Sequence, residues 1–530
     1  MPRQILLGDE AVALGAVHAG LSGAYSYPGT PASEILEYLV RRAEETKAFT
    51  AVWSVNEKVA YEEALGVSFA GKRALVSFKH VGLNVAADPF MNSAITGANG
   101  GLLVVSADDP GMHSSQNEQD SRYYVQFAKI FGFEPSDHQE AYDMTREAFD
   151  LSERLGLPVL LRLVTRLSHS RSAVETRDPR PQNELRKGAG KDWILLPVNA
   201  RRRFGQLLDR QAEMVRLSDE SPFNELKLNA KDRTFGVLTS GIAYNYFREA
   251  VAGDAAPPSF LKVSTYPLPE GLIRRLVEHV DTILVLEDGY PFIERQLKGL
   301  FGVPGKTILG KTSGTLPAAG ELTPDIVRKA LGRGPLPALA ASGLPLAGRP
   351  PQLCVGCPHI DTFKALNQAL EGQAGANVFS DIGCYTLGAL PPYNAIQSCV
   401  CMGASVSMAR GAADVGLHPA VAVIGDSTFA HSGITPLLGA ARADADMTVI
   451  ILDNATTAMT GGQPTYGSGP ALLRLVEGLG VAKEHIRTIE PLPKNHEQNV
   501  QVIKDEIAHR GLSVIVAARE CVQEQRKKRS

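Results

Sequence analysis

Ala420–Tyr466 reads AVAVIGDSTFAHSGITPLLGAARADADMTVIILDNATTAMTGGQPTY. It opens with an apolar run from Ala420 to Ile424, turns at Gly425-Asp426-Ser427, and predicts a helix entered at Ser432 with Pro436 in its first turn. A second apolar strand follows from Met447 to Leu452. Both strands lack the alternation of a half-exposed sheet, which suits parallel strands covered on both faces. The crevice at the carboxyl ends of such strands is where ligands bind. Asp426 and Asn454 stand there, each just after its strand. Together they offer hard oxygens to a Mg²⁺ ion, which keeps octahedral geometry with one or two protein side chains, waters and phosphate oxygens. Gly425 permits close backbone approach, and the N–H groups at Ser427 can face an anion. Singly, an Asp or Asn in these places also serves as an ordinary turn cap.

Outward from this unit, the first part of the chain alternates strand and helix. GAYSY leads to the turn Pro28-Gly29-Thr30-Pro31 and a helix; AFTAVW leads to a helix at Asn56; RALVSF leads to one near Val81; GLLVVSA runs into a loop at Asp108. Val159 to Val164 reads as the closing strand. Ser168 to Trp193 is polar and rich in Arg, Pro and Gly and reads as a linker, with a helical stretch near Val198 to Leu217 after it. The α/β grammar resumes at Thr234, with TFGVLTSGIAYNYFREA and DTILVLEDG, and Gly332 to Gln352 is a Pro/Gly/Ala boundary.

The phrases GDSTFAHSGI and LDNATTAMTGGQP resemble the diphosphate motif of thiamine-diphosphate (TPP) enzymes, in the form found in the α subunit of indolepyruvate:ferredoxin oxidoreductases. SYPGTPASEI with WSVNEKVAYEEALGVSFAGKRALVSFKHVGLNVAADP is similar to the pyrimidine-binding domain of 2-oxoacid:ferredoxin oxidoreductases. The resemblance implies an α/β protein of three doubly wound domains of the transketolase-like, TPP-binding superfold. The expected segments are a pyrimidine-binding domain at 1–175, a linker and helical segment at 176–232, a transketolase-C-terminal-like domain at 233–332, a linker at 333–352, and a diphosphate-binding domain at 353–530. Family members bind TPP between the first and last of these domains.

Glu57 opens a helix in Ser54-Val55-Asn56-Glu57. Ser followed three later by Glu reads as a capping box. The resemblance instead puts Glu57 on the glutamate that activates the cofactor by bonding N1′ of its aminopyrimidine. Thr30 lies in a turn that approaches the substrate in the resembling enzymes, although a Thr beside prolines is commonly a turn residue. Some relatives carry an Arg for the substrate carboxylate in the loop after Asp108, where this chain has Ser114-Ser115-Gln116. Arg122 could take that role, but the expected reading is a surface arginine at a helix start.

Cys354 and Cys357 form CxxC, Cys384 stands in DIGC, and Cys521 lies near the C-terminus. Four thiolates can hold Zn²⁺ or an iron–sulfur cluster, and the spacing does not choose; free buried thiols are the alternative. CVGCPH and DIGC are similar to segments that, with one late cysteine, bind a [4Fe–4S] cluster in the family, which assigns Cys354, Cys357, Cys384 and Cys521 to that role. Cys399 and Cys401 are expected to alternate along a strand as packed small hydrophobes. His359 and His431 read as hydrogen-bonded neighbours of the two motifs, and His80 reads either way.

Composition bounds the rest. The chain has 530 residues, enough for roughly three or four domains. Its net charge is −3 with charges dispersed, so no basic face points to nucleic acid. No run approaches the roughly 18 apolar residues of a membrane span. Six cysteines without a signal sequence are too few for a disulfide framework, so a cytoplasmic protein is expected.

The activity implied is oxidative decarboxylation of an aryl 2-oxo acid such as indolepyruvate or phenylpyruvate. TPP and Mg²⁺ are the expected cofactors, with Asp426, Asn454 and the Thr456 carbonyl as Mg²⁺ ligands and Gly425 and Ser427 beside the diphosphate. Coenzyme A accepts the acyl group and electrons leave through the cluster. The family's common ferredoxin-like tail is not seen before Ser530. A smaller γ- or β-type subunit and a ferredoxin or other electron-carrying partner are therefore expected, in a dimer of heteromers. Against this stand a non-oxidative TPP decarboxylase or lyase, which needs no cluster, and a non-catalytic subunit, in which Glu57 or the Asp426/Asn454 pair would be expected to be lost.

Overall fold

A computed structural model describes residues 3–188, 190–336, 343, 348, 350–373 and 375–529. Most of the Pro/Gly/Ala stretch from Gly332 to Gln352 thus lies outside the described residues. The chain divides into two compact units, Met1–Ala341 and Ser342–Ser530.

The first unit carries two main sheets. In the seven-stranded one the order is Thr265–Tyr266, Phe131–Phe133, Val159–Val164, Leu102–Asp108, Ala74–Lys79, Gly23–Ser26, Thr50–Trp53. All neighbours are parallel except the first pair. Val159–Val164 is therefore an interior strand rather than the closing one. Its residues are buried throughout, as are those of Ala74–Lys79 and Leu102–Asp108, because helices cover both faces. From Gly23–Ser26 the chain steps outward to Thr50–Trp53 and then crosses back to Ala74–Lys79. The strand order reverses there, and the crevice at such a reversal is the ligand-binding position of open parallel sheets.

The second sheet of this unit runs Thr307–Leu309, Thr282–Leu286, Phe235–Ser240, Ser259–Val263, Glu225–Lys227, with only the last strand antiparallel. The polar segment from Ser168 to Trp193 is not a free linker. Arg171–Glu175 pairs antiparallel with Arg3–Leu7. Beyond it, Gln182 donates to the carbonyls of Leu21 and Ala48, and Trp193 stacks on Phe69 with ring centres 4.0 Å apart. Its polar side chains bond backbone carbonyls of the domain, a use that composition alone does not distinguish from solvation.

The second unit has one parallel sheet, ordered Asn377–Ser380, Ala420–Gly425, Met447–Asp453, Leu512–Ala518, Ile486–Ile489. Alternate residues enter different cores. Val421, Val423, Ile450, Leu452 and Ile515 pack on one face, and Ala422, Ile424, Val449, Ile451 and Val514 on the other. This double coverage is why the strands read as continuous apolar runs. Among the described residues no helix is long and apolar enough to cross a membrane.

Candidate active site

In the second unit, four neighbouring strands deliver the singled-out residues to one edge. Asn377–Ser380 leads to Cys384, Ala420–Gly425 to Asp426, Met447–Asp453 to Asn454, and Leu512–Ala518 to Cys521. Gly425 pairs with Leu452 in register, so Asp426 and Asn454 leave adjacent strands side by side.

The helix begins earlier than expected. Asp426–Thr428 is already helical, Phe429–Gly433 is a π-turn, and Ile434–Ala443 is α-helix. Gly425 belongs to the strand, and no loop intervenes. The π-turn spreads the backbone next to Asp426, as π-bulges often do at functional positions. Gly425 is required by packing, because a Cβ there would lie 2.6 Å from Cε1 of Tyr385.

Asp426 is 2% exposed. One carboxylate oxygen accepts the Ser427 N–H at 2.8 Å, and the other, Oδ2, is buried with no hydrogen-bond partner. Burial, and then the neighbouring Asp453, push its pKa well above the carboxylate range. A buried carboxyl oxygen without a donor is what a cation would satisfy, so the position fits a Mg²⁺ ligand. Asn454 is also buried; its Oδ1 accepts the Thr456 N–H at 3.1 Å, which folds the loop around Thr456. Ser427 Oγ lies 2.8 Å from Thr457 Oγ1, joining the helix start to that loop.

Asn454 also links this loop to two cysteine segments. Its carbonyl accepts the Cys521 N–H at 3.1 Å, and its amide nitrogen lies 3.5 Å from Nε2 of His359, two residues after Cys357. Burial lowers the pKa of His359 to about 4, so the ring is neutral at pH 7. His431 is buried with Nδ1 2.6 Å from Ser432 Oγ.

Burial raises the pKa of Cys384 to about 12, and the charges of Cys357, Cys521 and Cys354 add to it. Burial likewise raises Cys357 to about 11, with Cys354 and Cys521 contributing. The four thiols are thus electrostatic neighbours. Among the described residues, however, no three of them bring their sulfurs within 4.8 Å of one another.

Cys399 and Cys401 depart from expectation. Both are exposed and lie in irregular backbone. The segment meets Asn377–Ser380 through the Gln397 N–H on the Val378 carbonyl and through side chains of Gln397 and Ser398, so no ladder forms.

In the first unit, Glu57 is the first residue of the helix Glu57–Phe69 and is 7% exposed. The cap is Asn56, whose side chain accepts the Val59 N–H at 2.9 Å, while Ser54 donates to Glu63. The capping-box reading therefore fails: Asn56 caps, and Glu57 points elsewhere. Its carboxylate lies against Gly82 of the helix His80–Val85, where a Cβ would fall 2.7 Å from Oε1. Gly82 thus makes room for Glu57.

Thr30 sits in the turn between Gly23–Ser26 and Ser33–Thr46, half-buried, and its carbonyl accepts from Ser114 Oγ at 3.4 Å. Lys79, which the sequence reading passed over, closes the next strand. It is 9% exposed and donates to the Ser114 carbonyl at 2.7 Å. Its visible signal is a lone cation ending the buried run ALVSFK. His80 is buried, with Nε2 3.2 Å from the Asn117 carbonyl.

Arg122 is not a surface residue. It is fully buried, bonded to Asp120, to Glu287 at 2.8 Å, and to the carbonyls of Asp288 and Tyr290. Arg162 beside it bonds Asp108 at 2.6 Å and Glu134. Desolvation opposes the charge of Asp120, but the two guanidiniums prevail and hold its pKa at about 2. A different polar group lies at Asp9, Glu34 and His169, whose ligating atoms are all within 4.8 Å of one another.

The chain is matched over residues 14–192 by the thiamine-diphosphate-binding domain of pyruvate flavodoxin/ferredoxin oxidoreductases, and over 381–517 by the C-terminal TPP-binding domain of thiamine pyrophosphate enzymes. It is 39% identical to indolepyruvate oxidoreductase subunit IorA of Archaeoglobus fulgidus, over 97% of this chain and 86% of that protein. It is 38% identical to the subunit of the same name from Methanothermobacter thermautotrophicus, over 98% and 86%. Among solved structures, 2-oxoglutarate:ferredoxin oxidoreductase from Magnetococcus marinus shares the fold at a TM-score of 0.53 and 16% identity, covering 62% of this chain and 65% of that one. The chain belongs to the indolepyruvate oxidoreductase IorA family of TPP-dependent 2-oxoacid:ferredoxin oxidoreductase subunits.

Proposed function

We propose that this chain is the catalytic subunit of an aryl 2-oxo acid oxidoreductase that forms an acyl-CoA. The observation that carries the reading is Asp426, a buried carboxylate with an orphan oxygen at the carboxyl end of a parallel strand, next to Asn454. Asp426 Oδ2, the side-chain oxygen of Asn454 and the Thr456 carbonyl would hold Mg²⁺, with Gly425 and Ser427 beside the diphosphate. Glu57 in the first unit would bond the aminopyrimidine. TPP, when bound, supplies the nucleophilic carbon and the electron sink that decarboxylation of a 2-oxo acid requires.

The chain's own groups orient and insulate. Tyr385 packs against Gly425 and donates to Asp381, which also accepts the Ser405 N–H at 3.1 Å and so fixes the start of helix Ala404–Asp414. Gly82 leaves the space that the Glu57 carboxylate fills, and the buried end of the helix keeps water from it. Cys354, Cys357, Cys384 and Cys521 would hold a [4Fe–4S] cluster, which supplies one-electron acceptance. The Asn454 contacts to Cys521 and His359 couple those segments to the diphosphate loop. Electrons would leave to a ferredoxin or a partner subunit, and a smaller subunit would complete the enzyme.

The test is TPP-dependent turnover of phenylpyruvate or indolepyruvate by the assembled enzyme. Glu57→Gln should abolish turnover while the protein keeps its unfolding temperature. Asp426→Asn should remove the stabilisation that TPP gains from Mg²⁺. A Glu57→Gln enzyme with normal turnover would overturn the assignment.

A further inference from the structure

The seven-stranded sheet of the first unit reverses its strand order between Gly23–Ser26 and Ala74–Lys79. The two turns that leave those strands therefore flank the crevice in which such sheets bind ligands. One turn carries Thr30 and the other is Lys79-His80. They touch: a Cβ on Gly29 would lie 3.2 Å from Cβ of Lys79, and Ser114, whose carbonyl accepts from Lys79 Nζ, donates its hydroxyl to the Thr30 carbonyl. On its other side Lys79 is followed, three residues on, by Gly82, against which the Glu57 carboxylate rests.

A 2-oxo acid brings a carboxylate into this crevice, and a buried anion needs a cation with free donors. The two arginines behind the same edge are already spent. Arg122 is saturated by Asp120, Glu287 and two carbonyls, and Arg162 by Asp108, Glu134 and the Asp288 carbonyl. Lys79 differs. Its ammonium has three donors; among the described residues its one acceptor is the Ser114 carbonyl and no carboxylate lies within ion-pair distance. Asp109, the acid whose charge acts on Lys79, is engaged by Ser114 N–H at 2.8 Å, Ser115 Oγ at 2.6 Å and Thr165 Oγ1 at 2.6 Å.

We propose that Lys79 receives the carboxylate of the 2-oxo acid, with its ammonium pointed into the crevice beside Thr30 and Glu57. This deepens the reading of the chain as a TPP-dependent 2-oxo acid oxidoreductase subunit and rests on it. Lysine suits a carboxylate that must leave as CO₂, because a single point charge holds the anion less tightly than a bidentate guanidinium. Burial also lowers the pKa of Lys79 to about 8, with Asp109 partly opposing the shift. The titratable groups around it are Asp109 on the loop after Leu102–Asp108, His80 next in the chain, and Glu57 across Gly82.

The test uses the assembled enzyme and four variants. In Lys79→Gln, KM for phenylpyruvate should rise by about ten- to a hundredfold, the effect of losing a charge-assisted hydrogen bond, with a much smaller change in kcat. The inhibition constant of 3-phenylpropionate, which keeps the carboxylate but lacks the keto group, should rise in parallel. Wild-type kcat/KM should fall above about pH 8 as free Lys79 loses its proton. Lys79→Arg should restore affinity and remove that alkaline fall. A fall that persists in Lys79→Arg belongs to another group and overturns the proposal; in His80→Gln, which leaves Lys79 in place, the fall should remain. So does unchanged KM in Lys79→Gln. Should Lys79→Gln fail to fold, the pH profiles of wild type and Lys79→Arg still decide. Glu57→Gln separates the two levels: if it is inactive while the Lys79 variants behave as wild type, only the Lys79 assignment falls, and if it is active the TPP reading falls with it.

Discussion

Gly82→Ala is the sharpest probe of how Glu57 is positioned. The added methyl would sit 2.7 Å from Oε1, 2.8 Å from Cγ and 3.1 Å from Cδ of Glu57. To regain ordinary contact the carboxylate must withdraw by roughly 0.7 Å or more. The backbone at Gly82 is helical, so alanine adds no strain there and gains about 1 kcal/mol of helix propensity. Overpacking costs about 1–3 kcal/mol, which leaves the variant folded and at most about 2 kcal/mol less stable. Activity should suffer far more, since misplacing a reacting group by about 1 Å can cost on the order of a hundredfold in rate. Gly66→Ala is the matched control. It lies in the interior of the Glu57 helix with nothing within 4 Å of the new Cβ, so it should stabilise by about 1 kcal/mol and leave turnover unchanged. Urea unfolding measures the first quantity and oxo-acid-dependent dye reduction by the assembled enzyme the second. Gly82→Ala turning over at the wild-type rate would refute the claim that the position of Glu57 matters.

Other consequences follow from the charges. Arg122→Met removes the Arg122 charge from buried Asp120 and Glu287 and should cost about 3–5 kcal/mol by urea unfolding. Asp9 is fully buried, and burial, then Glu34, hold its pKa well above the usual range. Its folded-state pKa is raised, so its contribution is present below the unfolded value and is lost as pH rises. Asp9→Asn should therefore melt like wild type near about pH 4 and increasingly above it toward pH 8. Cys521→Ser should lower the iron content of anaerobically purified protein, because Cys521 is one of four thiols placed as electrostatic neighbours.

Much of the architecture was legible because buried parallel strands leave a plain mark. VAVIG and MTVIILD could be read as such since both faces are covered, and Asp426 and Asn454 were found by following those strands to their ends. The misreadings share a cause: the local signal was real, but distant partners decided. Ser54-x-x-Glu57 has the letters of a capping box, yet Asn56 is the better cap, and Ser54 turns to Glu63 on the next turns of the helix. Arg122 looks like a surface helix-start cation. Its partners Glu134 and Glu287 lie far along the chain, and only the fold brings them together. Cys399 and Cys401 alternate as strand residues do, but too few backbone bonds reach the neighbouring strand to hold one. Lys79 was overlooked because a lysine ending a strand is ordinary until its burial and its missing counter-ion are seen.

Iron and acid-labile sulfide analysis of anaerobically purified protein, with visible spectra before and after TPP, Mg²⁺ and an aryl 2-oxo acid are added, decides whether this chain is an electron-transferring oxidoreductase subunit. About four irons per chain and a cluster absorbance that bleaches on substrate are expected. An iron-free, colourless protein that still binds TPP and Mg²⁺ would contradict that role and leave a non-oxidative decarboxylase in its place.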